Sequence, residues 1–444
     1  MTGQAVGTPP WQAALQTLEH GLLQRDVAAR ALLLAALAGE HLLLIGPPGT
    51  AKSELARRLQ QLMPGAHYFE RLLTRFTVPE ELFGPLSLRA LEDDRYERLT
   101  EGYLPQAEVA FLDEVFKANS AILNTLLGLL HERRFDNGVQ RIAVPLVCLV
   151  GASNELPEDD SLLAFYDRFL LRVPVTPVDD AHFAALLQPV TQAPAQTHLL
   201  NAHTLAQVRH RAGLVSLPPE VLALLTQARQ RCRETGQTVS DRRWRQLARL
   251  LQVQAASLGR DQVDPWDTWL LPFVLAHGPD QVPGWTDGFM AQVAHAVPLE
   301  RDGLDQATRA FEGQLEIEER APAEEPDTEA GKLALAQAMA GPGSPSTPMI
   351  RMLSDRARRS YTPLHIQTRL SQVDECLTAV QSLHDSVHQQ ATEVLTQARA
   401  HTWLPPSWRE HIETTHARRC EAATDLLQRL LRVRAGFAAL PHGT

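Results

Sequence analysis

The sequence predicts an α/β core, with a parallel sheet sandwiched by helices, followed by an all-α lid subdomain and a C-terminal helical stalk. Over residues 1–178, short apolar runs alternate with helix-period segments, which is typical of a buried parallel sheet. Residues 179–297 carry helical patterns with Pro and Gly breaks. From residue 298 onward, apolar residues recur at steps of three and four, which indicates long packed helices.

The α/β part begins with one helix predicted over Trp11–Ala38, which leads into a buried strand at Leu42–Ile45. A Gly/Pro-rich turn separates this strand from the next helix. The dipeptide Asn137-Gly138 is typical of a hairpin turn. The other predicted elements are helices at Ser53–Leu62 and Asn119–Glu132 and strands within Glu108–Glu114, at about Val144–Val150 and within Phe169–Val175.

The stalk is predicted from a heptad-like seam that ends at the sequence WLPPSW. A second helix is predicted over Ser407–Ala439. Leu304, Phe311 and Leu315 supply a further apolar stripe, so the stalk is of a three-helix type. Acidic and Pro-rich residues at about 320–348 predict a disordered linker that interrupts it. The seam consists of Ile366, Leu370, Val373, Leu377, Val380, Val387, Ala391, Val394 and Ala398.

Composition narrows the class of protein. The net charge is −10, and no cluster of Lys and Arg is dense enough to bind along the phosphate backbone of a nucleic acid. Nucleic-acid binding is therefore not expected. No apolar run reaches the ~18–20 residues of a transmembrane helix, and the N-terminus lacks the pattern of a secretory signal. The four cysteines lie far apart and form no CxxC pair. These features predict a reduced, cytoplasmic protein.

Residues 46–53 read GPPGTAKS between a predicted strand and a predicted helix. Small residues allow backbone N–H groups to converge on phosphates, a lysine reaches their oxygens, and a hydroxyl can bind Mg²⁺. Lys52 and Ser53 match the last two roles, and Lys52 is one of only three lysines beside 39 arginines. The pattern predicts a nucleotide-binding loop. An ordinary turn is the alternative, because Ala51 stands where a glycine is usual.

Polar residues follow two other predicted strands. Asp113 and Glu114 end a buried strand, where Asp113 is expected to hold Mg²⁺ and Glu114 to polarise the attacking water. Asn154 ends the next strand and is expected to orient that water, with a helix-cap role as the alternative. Arg168 and Arg242 are weaker candidates, because most arginines of this chain are expected to be solvated or ion-paired.

Long motifs carry a resemblance to a known family. GPPGTAKS, the segment from RFTVPEELFG to ERRFDNG, ASNELPEDDSLLAFYDRFLLR and VSDRRWRQLARLLQ resemble MoxR-type AAA+ ATPases, and within them the RavA branch. The resemblance covers about Leu22–Leu258. Alanine before the lysine is what this branch carries, so the resemblance favours the nucleotide-binding interpretation of Ala51.

The resemblance implies ATP and Mg²⁺ as cofactors and a ring, expected to be a hexamer, in which ATP hydrolysis remodels or activates partner proteins. A slow-turnover, nucleotide-gated assembly scaffold and a nucleic-acid motor are the alternatives. The implied catalytic residues are Lys52, the Walker B residue Glu114, the sensor 1 residue Asn154 and the arginine finger Arg168, with Arg172 as its rival. The implied metal ligands are Ser53 and Asp113. The implied nucleotide-binding residues are Gly46, Pro47, Pro48, Gly49, Thr50, Ala51, Lys52, Ser53, Glu54 and the sensor 2 residue Arg242, with Arg243 as its rival.

Partners also follow from the resemblance. A von Willebrand A-domain protein is the expected partner, and an insertion near Pro85–Leu99 and a hairpin at Phe135–Val144 are expected to face the pore of the ring. RavA-like proteins carry a strand-containing module within the stalk. Here the corresponding residues, about Arg320–Pro348, are too few and too polar for it. Binding to a lysine decarboxylase through that module is therefore doubtful.

Overall fold

The computed structural model describes residues 10–157, 159–188, 200–321 and 360–442. These residues form two compact units. The first comprises the described residues up to His295 together with Ala398–His411, and the second comprises the described residues of 296–397 and those from Ile412 onward. The linker predicted at about 320–348 lies, beyond Ala321, outside the described residues.

A five-stranded parallel sheet forms the centre of the first unit, with the strand order β2-β3-β6-β1-β7. All four residues of β1 are buried, as expected for a central strand that helices cover on both faces. The phosphate-loop candidate follows β1, which pairs with β6 on one side and β7 on the other. The strands are β1 (Leu42–Ile45), β2 (Tyr68–Leu72), β3 (Val109–Asp113), β4 (Arg134–Asn137), β5 (Gln140–Ala143), β6 (Cys148–Ser153) and β7 (Leu171–Pro174).

Helices cover this sheet, and their apolar sides form its core. Phe83 and Phe135 stack at 5.4 Å between ring centroids, and Phe165 meets Phe169 edge to face at the same distance. Such pairs add to the stabilisation from burial alone. The helices are α1 (Pro10–Glu19), α2 (Asp26–Ala38), α3 (Lys52–Gln61), α4 (Pro79–Phe83), α5 (Leu88–Glu92), α6 (Ser120–Glu132), α7 (Asp160–Tyr166) and α8 (Phe183–Leu186).

The single helix predicted over Trp11–Ala38 is wrong, because two helices occupy this segment. Gly21 and Gln24 adopt left-handed backbone conformations, with φ of 64° and 56°, which a continuous helix does not allow. The apolar spacing continues through the break, because α1 buries one face and the ten consecutive residues 28–37 of α2 are all buried. The helices predicted at Ser53–Leu62 and Asn119–Glu132 and the hairpin around Asn137-Gly138 agree with the structure within a few residues. The short helices α4, α5, α7 and α8 were not predicted from the sequence.

The remainder of the first unit is helical, in agreement with the predicted lid. Its helices are α9 (Ala202–Ala212), α10 (Pro219–Glu234), α11 (Asp241–Ser257), α12 (Leu271–Leu275) and α13 (Val282–Gln292). Residues 398–411, which we call the hairpin tip, pack in this unit. Trp403 and Leu404 are fully buried, and Trp403 Nε1 donates to Ser257 Oγ at 2.9 Å. WLPPSW is therefore a packed turn between two helices.

The second unit contains α14 (Asp302–Arg320) and most of two long helices, α15 (Pro363–Ala400) and α16 (Pro406–Ala438). Leu304, Phe311 and Leu315 of α14 pack against the core that α15 and α16 share. A Cβ on Gly436 would overlap the side chain of Leu315, so α14 and α16 approach closely there. The predicted seam residues are buried or packed against this core. The fold class predicted from the sequence is confirmed.

Candidate nucleotide-binding site

The loop between β1 and α3 is shaped by its small residues. Gly46 lies so close to β7 that a Cβ there would overlap the carbonyl oxygen of Val175. Gly49 and Ala51 both adopt the left-handed conformation, with φ of 78° and 63°. For an alanine this conformation is unfavourable by roughly 1 kcal/mol. The loop therefore has the tight turn that the sequence predicts, and Ala51 accommodates the conformation usual for glycine.

In this loop the backbone carbonyl groups accept hydrogen bonds, whereas most backbone N–H groups are unpaired among the described residues. Lys52 Nζ donates to the carbonyls of Gly46, at 2.6 Å, and Pro47, at 2.8 Å. The hydroxyl of Thr50 also donates to Pro47, at 2.9 Å, and the carbonyl of Thr50 accepts from Arg25 at 2.9 Å. Within the described part of the chain, the backbone N–H groups of residues 49–54 make no hydrogen bond. Unpaired N–H groups at a helix N-terminus fit an anion such as phosphate.

Lys52 is buried, with 6% of its surface exposed. Burial lowers the pKa of its ammonium group, and the carboxylates of Asp113 and Glu114 oppose this shift. The side chain therefore faces the loop and the two acidic residues. This position is compatible with a bound phosphate, which would take over donor bonds from the loop carbonyls.

The two acidic residues lie at the carboxyl end of β3. Asp113 Oδ1 accepts a hydrogen bond from the backbone N–H of Glu114 at 3.0 Å. Glu114 itself has a φ of 52°, in the left-handed region. Such backbone strain is common at functional sites, because it aims a side chain that regular structure would point elsewhere.

Both oxygens of Glu114 have polar partners. Asn154, which directly follows β6, donates from Nδ2 to Glu114 Oε1 at 2.7 Å. Lys117 Nζ lies 3.2 Å from Glu114 Oε2. The sequence predicts that Glu114 and Asn154 share one site, but Lys117 was not predicted to belong to it. Its spacing could have indicated this, since Lys117 stands three positions after Glu114 and is one of only three lysines.

The candidate metal ligands have suitable chemistry. Ser53 lies in the first turn of α3, and its hydroxyl makes no hydrogen bond with any described residue. Asp113 supplies a carboxylate at the end of β3. A hydroxyl and a carboxylate, completed by waters and phosphate oxygens, are the ligands that Mg²⁺ prefers. Glu54, the next residue of α3, instead accepts a hydrogen bond from Arg58 at 2.9 Å.

Arg168 and Arg242 each stand next to a residue of one contact, in which Arg243 Nη1 donates to Asp167 Oδ1 at 3.2 Å. Burial lowers the pKa of Arg168, and the positive charge of Arg242 lowers this pKa further. Neither guanidinium makes a hydrogen bond or an ion pair with a described residue, and Nε of Arg168 is buried. Arg242 also acts electrostatically on Glu40 and His41, which precede β1. The phosphate loop lies at the opposite end of β1 from Glu40 and His41. The length of this strand, about 13 Å, therefore separates the surroundings of Arg242 from the phosphate loop.

Arg172 and Arg243, the alternative candidates for the finger and sensor 2 roles, make contacts with other residues inside the protein. The Arg172 guanidinium lies 3.7 Å from the ring centroid of Tyr166. Arg243, with 4% exposed, donates to the carbonyls of Leu170 and Val274, both at 2.7 Å. Buried guanidinium groups with several acceptors act in packing. Of these four arginines, Arg168 and Arg242 are the two without a side-chain acceptor among the described residues.

The insertion and the hairpin named from the sequence contact each other. Asn137 in the hairpin accepts a hydrogen bond from the backbone N–H of Arg98 at 2.6 Å and donates to its carbonyl at 3.1 Å. Leu88 of the insertion and Val139 at the hairpin turn are 75% and 94% exposed. The insertion and the hairpin are thus connected by hydrogen bonds, and each exposes an apolar side chain to solvent.

Two relatives share most of their length with this chain. "Uncharacterized protein MJ0812" of Methanocaldococcus jannaschii is 39% identical over 267 residues, which are 60% of this chain and 71% of the relative. "Uncharacterized protein MJ0079" of the same organism is 39% identical over 261 residues, or 59% and 68% of the two chains. The "Structural protein ORF618" of Acidianus two-tailed virus is 31% identical over 163 residues, which are 36% of this chain and 26% of the viral protein.

Residues 11–210 match the family described as the MoxR domain in the MoxR-vWA-beta-propeller ternary systems. The chain belongs to the MoxR family of AAA+ ATPases. In this MoxR-family chain, residues 220–284 match an AAA lid domain, which covers α10–α12 and the start of α13. The crystal structure of a candidate ATPase from Cytophaga hutchinsonii aligns with a TM-score of 0.51 at 16% identity, over 64% of this chain and 94% of the other. That likeness shows the fold alone.

None of the helices in the described residues of this MoxR-family chain is long and apolar enough to span a bilayer.

Proposed function

We propose that this MoxR-family chain is a Mg²⁺-dependent ATPase of the RavA branch, which couples ATP hydrolysis in a ring to the remodelling or activation of partner proteins. One observation carries the proposal. Lys52, Asp113, Glu114 and Asn154 converge at the carboxyl ends of β1, β3 and β6, which are neighbours in the sheet. In open α/β sheets this edge is where ligands bind.

Each residue has a role that its position supports. The free N–H groups of the loop and the Lys52 ammonium bind the phosphates, and Ser53 and Asp113 hold Mg²⁺. When bound, Mg²⁺ neutralises the charge that develops on the phosphate oxygens. Glu114 accepts a proton from the attacking water, and the Asn154 amide fixes the direction of that carboxylate.

We place Arg168 and Arg242 at the nucleotide of a neighbouring subunit. Their charges are close to each other, unpaired among the described residues and separated from their own phosphate loop by the length of β1. Unpaired guanidinium groups suit the stabilisation of phosphoryl-transfer charge in trans. A ring, for which we propose six subunits, is the closed assembly in which every subunit receives such a pair.

For partners, we propose a von Willebrand A-domain protein, in line with the description of the matching MoxR domain. The exposed Leu88 and Val139 would face the pore of the ring and contact apolar segments of a client protein. Binding to a lysine decarboxylase is not part of the proposal. The four separated free cysteines support a reducing, cytoplasmic location.

The deciding experiment measures ATP turnover of the full-length protein with Mg²⁺. We expect Glu114→Gln to lower turnover by about 100-fold or more while ATP binding is retained, because the proton acceptor is lost and the phosphate contacts are kept. The matched control is Glu132→Gln, which removes an exposed ion pair with Arg141 at the far end of α6. Undiminished hydrolysis by Glu114→Gln refutes the site.

A nucleotide-gated scaffold with slow turnover is the second candidate. The observation that favours it is the engagement of both Glu114 oxygens, by Asn154 and by Lys117. A carboxylate held on both sides is less free to accept a proton from water. Equal partner binding with ATP and with a non-hydrolysable analogue would favour the scaffold over the motor.

A further inference from the structure

A buried arginine outside the predicted motifs contacts the phosphate loop. Arg25 has 5% of its surface exposed and directly precedes α2. Its Nε donates to the carbonyl of Thr50 at 2.9 Å, and Nη2 donates to the carbonyl of Thr176 at 2.7 Å. Nη1 donates to the carbonyl of Gln24 at 2.7 Å. One guanidinium thus ties the loop to the segment that follows β7.

This contact bears on the direction of the loop's peptide groups. A peptide whose carbonyl is held on one side presents its N–H on the opposite side. The carbonyl of Thr50 belongs to the same peptide as the N–H of Ala51, one of the N–H groups without a partner among the described residues. Arg25 therefore fixes the orientation of this N–H, which points away from the guanidinium.

The next residue connects to the hairpin tip. Asp26 Oδ2 accepts hydrogen bonds from the backbone N–H of Ser407, at 2.8 Å, and from its hydroxyl, at 2.6 Å. Ser407 lies in the first turn of α16, so the carboxylate satisfies an N–H that the helix leaves open. Trp403 and Leu404 of the tip are fully buried, which fixes Ser407 in place.

We propose that Arg25 is a positioning residue for nucleotide binding and that Asp26 couples it to the hairpin tip. When a phosphate binds the Ala51 N–H, the peptide between Thr50 and Ala51 shifts toward it. Arg25 moves with this peptide because it is bonded to the Thr50 carbonyl. The movement reaches Ser407 through the carboxylate of the adjacent Asp26. The tip thereby senses whether the phosphate loop is occupied. This inference rests on the proposed nucleotide binding.

The first experiment measures the dissociation constant of ADP for the full-length protein by calorimetry. We expect Arg25→Ala to weaken ADP binding about 10-fold and Arg25→Lys to restore part of it, because one ammonium replaces one of three bonds. The matched control is Arg209→Ala, which removes bonds to the carbonyls of Leu37 and Ala36 at the other end of α2. We expect a similar loss of thermal stability and unchanged ADP binding.

The second experiment follows hydrogen exchange at the Ser407 amide. We expect ADP to slow this exchange in the unaltered protein and to have no effect on it in Arg25→Lys. Lys52→Ala separates the two proposals. If it binds ADP normally, the nucleotide site itself is wrong. If it loses ADP while Arg25→Ala and Arg25→Lys bind normally, or if ADP leaves the Ser407 amide unchanged in the unaltered protein, this inference is overturned and the site stands.

Discussion

The side-chain amide of Asn154 donates a 2.7 Å hydrogen bond to Oε1 of Glu114, which joins the end of β6 to the end of β3. Lys117 lies 3.2 Å from the other carboxylate oxygen. In the mechanism we propose, the amide orients the carboxylate, whereas the ammonium contacts the oxygen that would otherwise be free to meet the attacking water. The two neighbours should therefore have opposite effects on ATP turnover.

Replacing Asn154 by alanine should slow the reaction. Without the amide, Glu114 Oε1 loses its fixed orientation, and we expect turnover to fall about 10- to 100-fold with little change in ATP affinity. Steady-state kinetics with a separate binding measurement distinguishes the two. Asn201→Ala, which removes an N-cap of α9, is the control and should leave turnover unchanged. A loss confined to ATP affinity would contradict the assigned role.

Replacing Lys117 by alanine should accelerate the reaction. Its ammonium is 58% exposed, so its loss should cost little stability, while Oε2 of Glu114 becomes free to contact water. We expect turnover to rise about two- to fivefold, measured under saturating ATP. Arg141→Ala, which also removes an exposed ion pair, serves as the control. An equal or slower rate for Lys117→Ala would show that the ion pair does not restrain Glu114.

Mixing two inactive variants should restore activity if Arg168 acts in trans. Arg168→Ala retains its own Glu114, and Glu114→Gln retains its own Arg168. In a ring assembled at random from equal amounts, about a quarter of the interfaces combine both intact residues. We expect the mixture to recover roughly that share of the turnover, measured against each variant alone. No recovery in verified mixed rings would place the finger and the nucleotide in the same subunit.

A buried carboxylate in the lid should make stability depend on pH. Asp267 has no exposed surface. Its Oδ1 accepts hydrogen bonds from Nη2 of Arg260 at 2.6 Å and from Nε2 of His401, in the hairpin tip, at 2.9 Å. Burial acts to raise the pKa of Asp267, but the bonds from His401 and Arg260 outweigh it and hold the pKa below its ordinary value. Because the folded pKa is lowered, the stabilisation is present above about pH 4 and is lost as the pH falls through the folded value.

Asp267→Asn should therefore lower the free energy of unfolding at pH 7 by about 3–5 kcal/mol, since it removes the buried carboxylate that binds Arg260 and His401. The difference from the unaltered protein should shrink below about pH 4. Urea unfolding at a series of pH values measures both effects. Asp261→Asn, at a side chain 90% exposed, is the control and should cost little. A difference that does not vary with pH would contradict the assigned protonation.

Much of the α/β core could be predicted from the sequence. β1 is a continuous apolar run, β3 is an apolar run that ends in Asp113, and β7 lies in the segment FLLRVPV, which Arg172 interrupts. The heptad seam marks α15. β2 was missed because its residues Tyr68–Leu72 include a glutamate and an arginine, as an edge strand allows. The strand predicted at about Val144–Val150 begins and ends later, at Cys148–Ser153, because small residues extend it beyond the apolar run.

The site could be predicted in part, for a physical reason. Residues that bind phosphate and metal stand in short motifs at strand ends, so their spacing along the chain reveals them. Arg25, Lys117 and the hairpin tip act through contacts that tertiary structure creates. The tip lies 381 residues from its partner Asp26 along the chain, and no local pattern reports such a distance. Arg25 is one of 39 arginines, and only its contacts with the carbonyls of Thr50 and Thr176 distinguish it.

Ala51 has one further consequence. Its methyl group makes the left-handed conformation less favourable than it would be for a glycine. Replacing Ala51 by glycine would remove that cost, but it would also give the free loop more backbone conformations to lose when it closes around an anion. Alanine at this position therefore sets an energetic cost of the turn against a lower conformational entropy of the unbound loop.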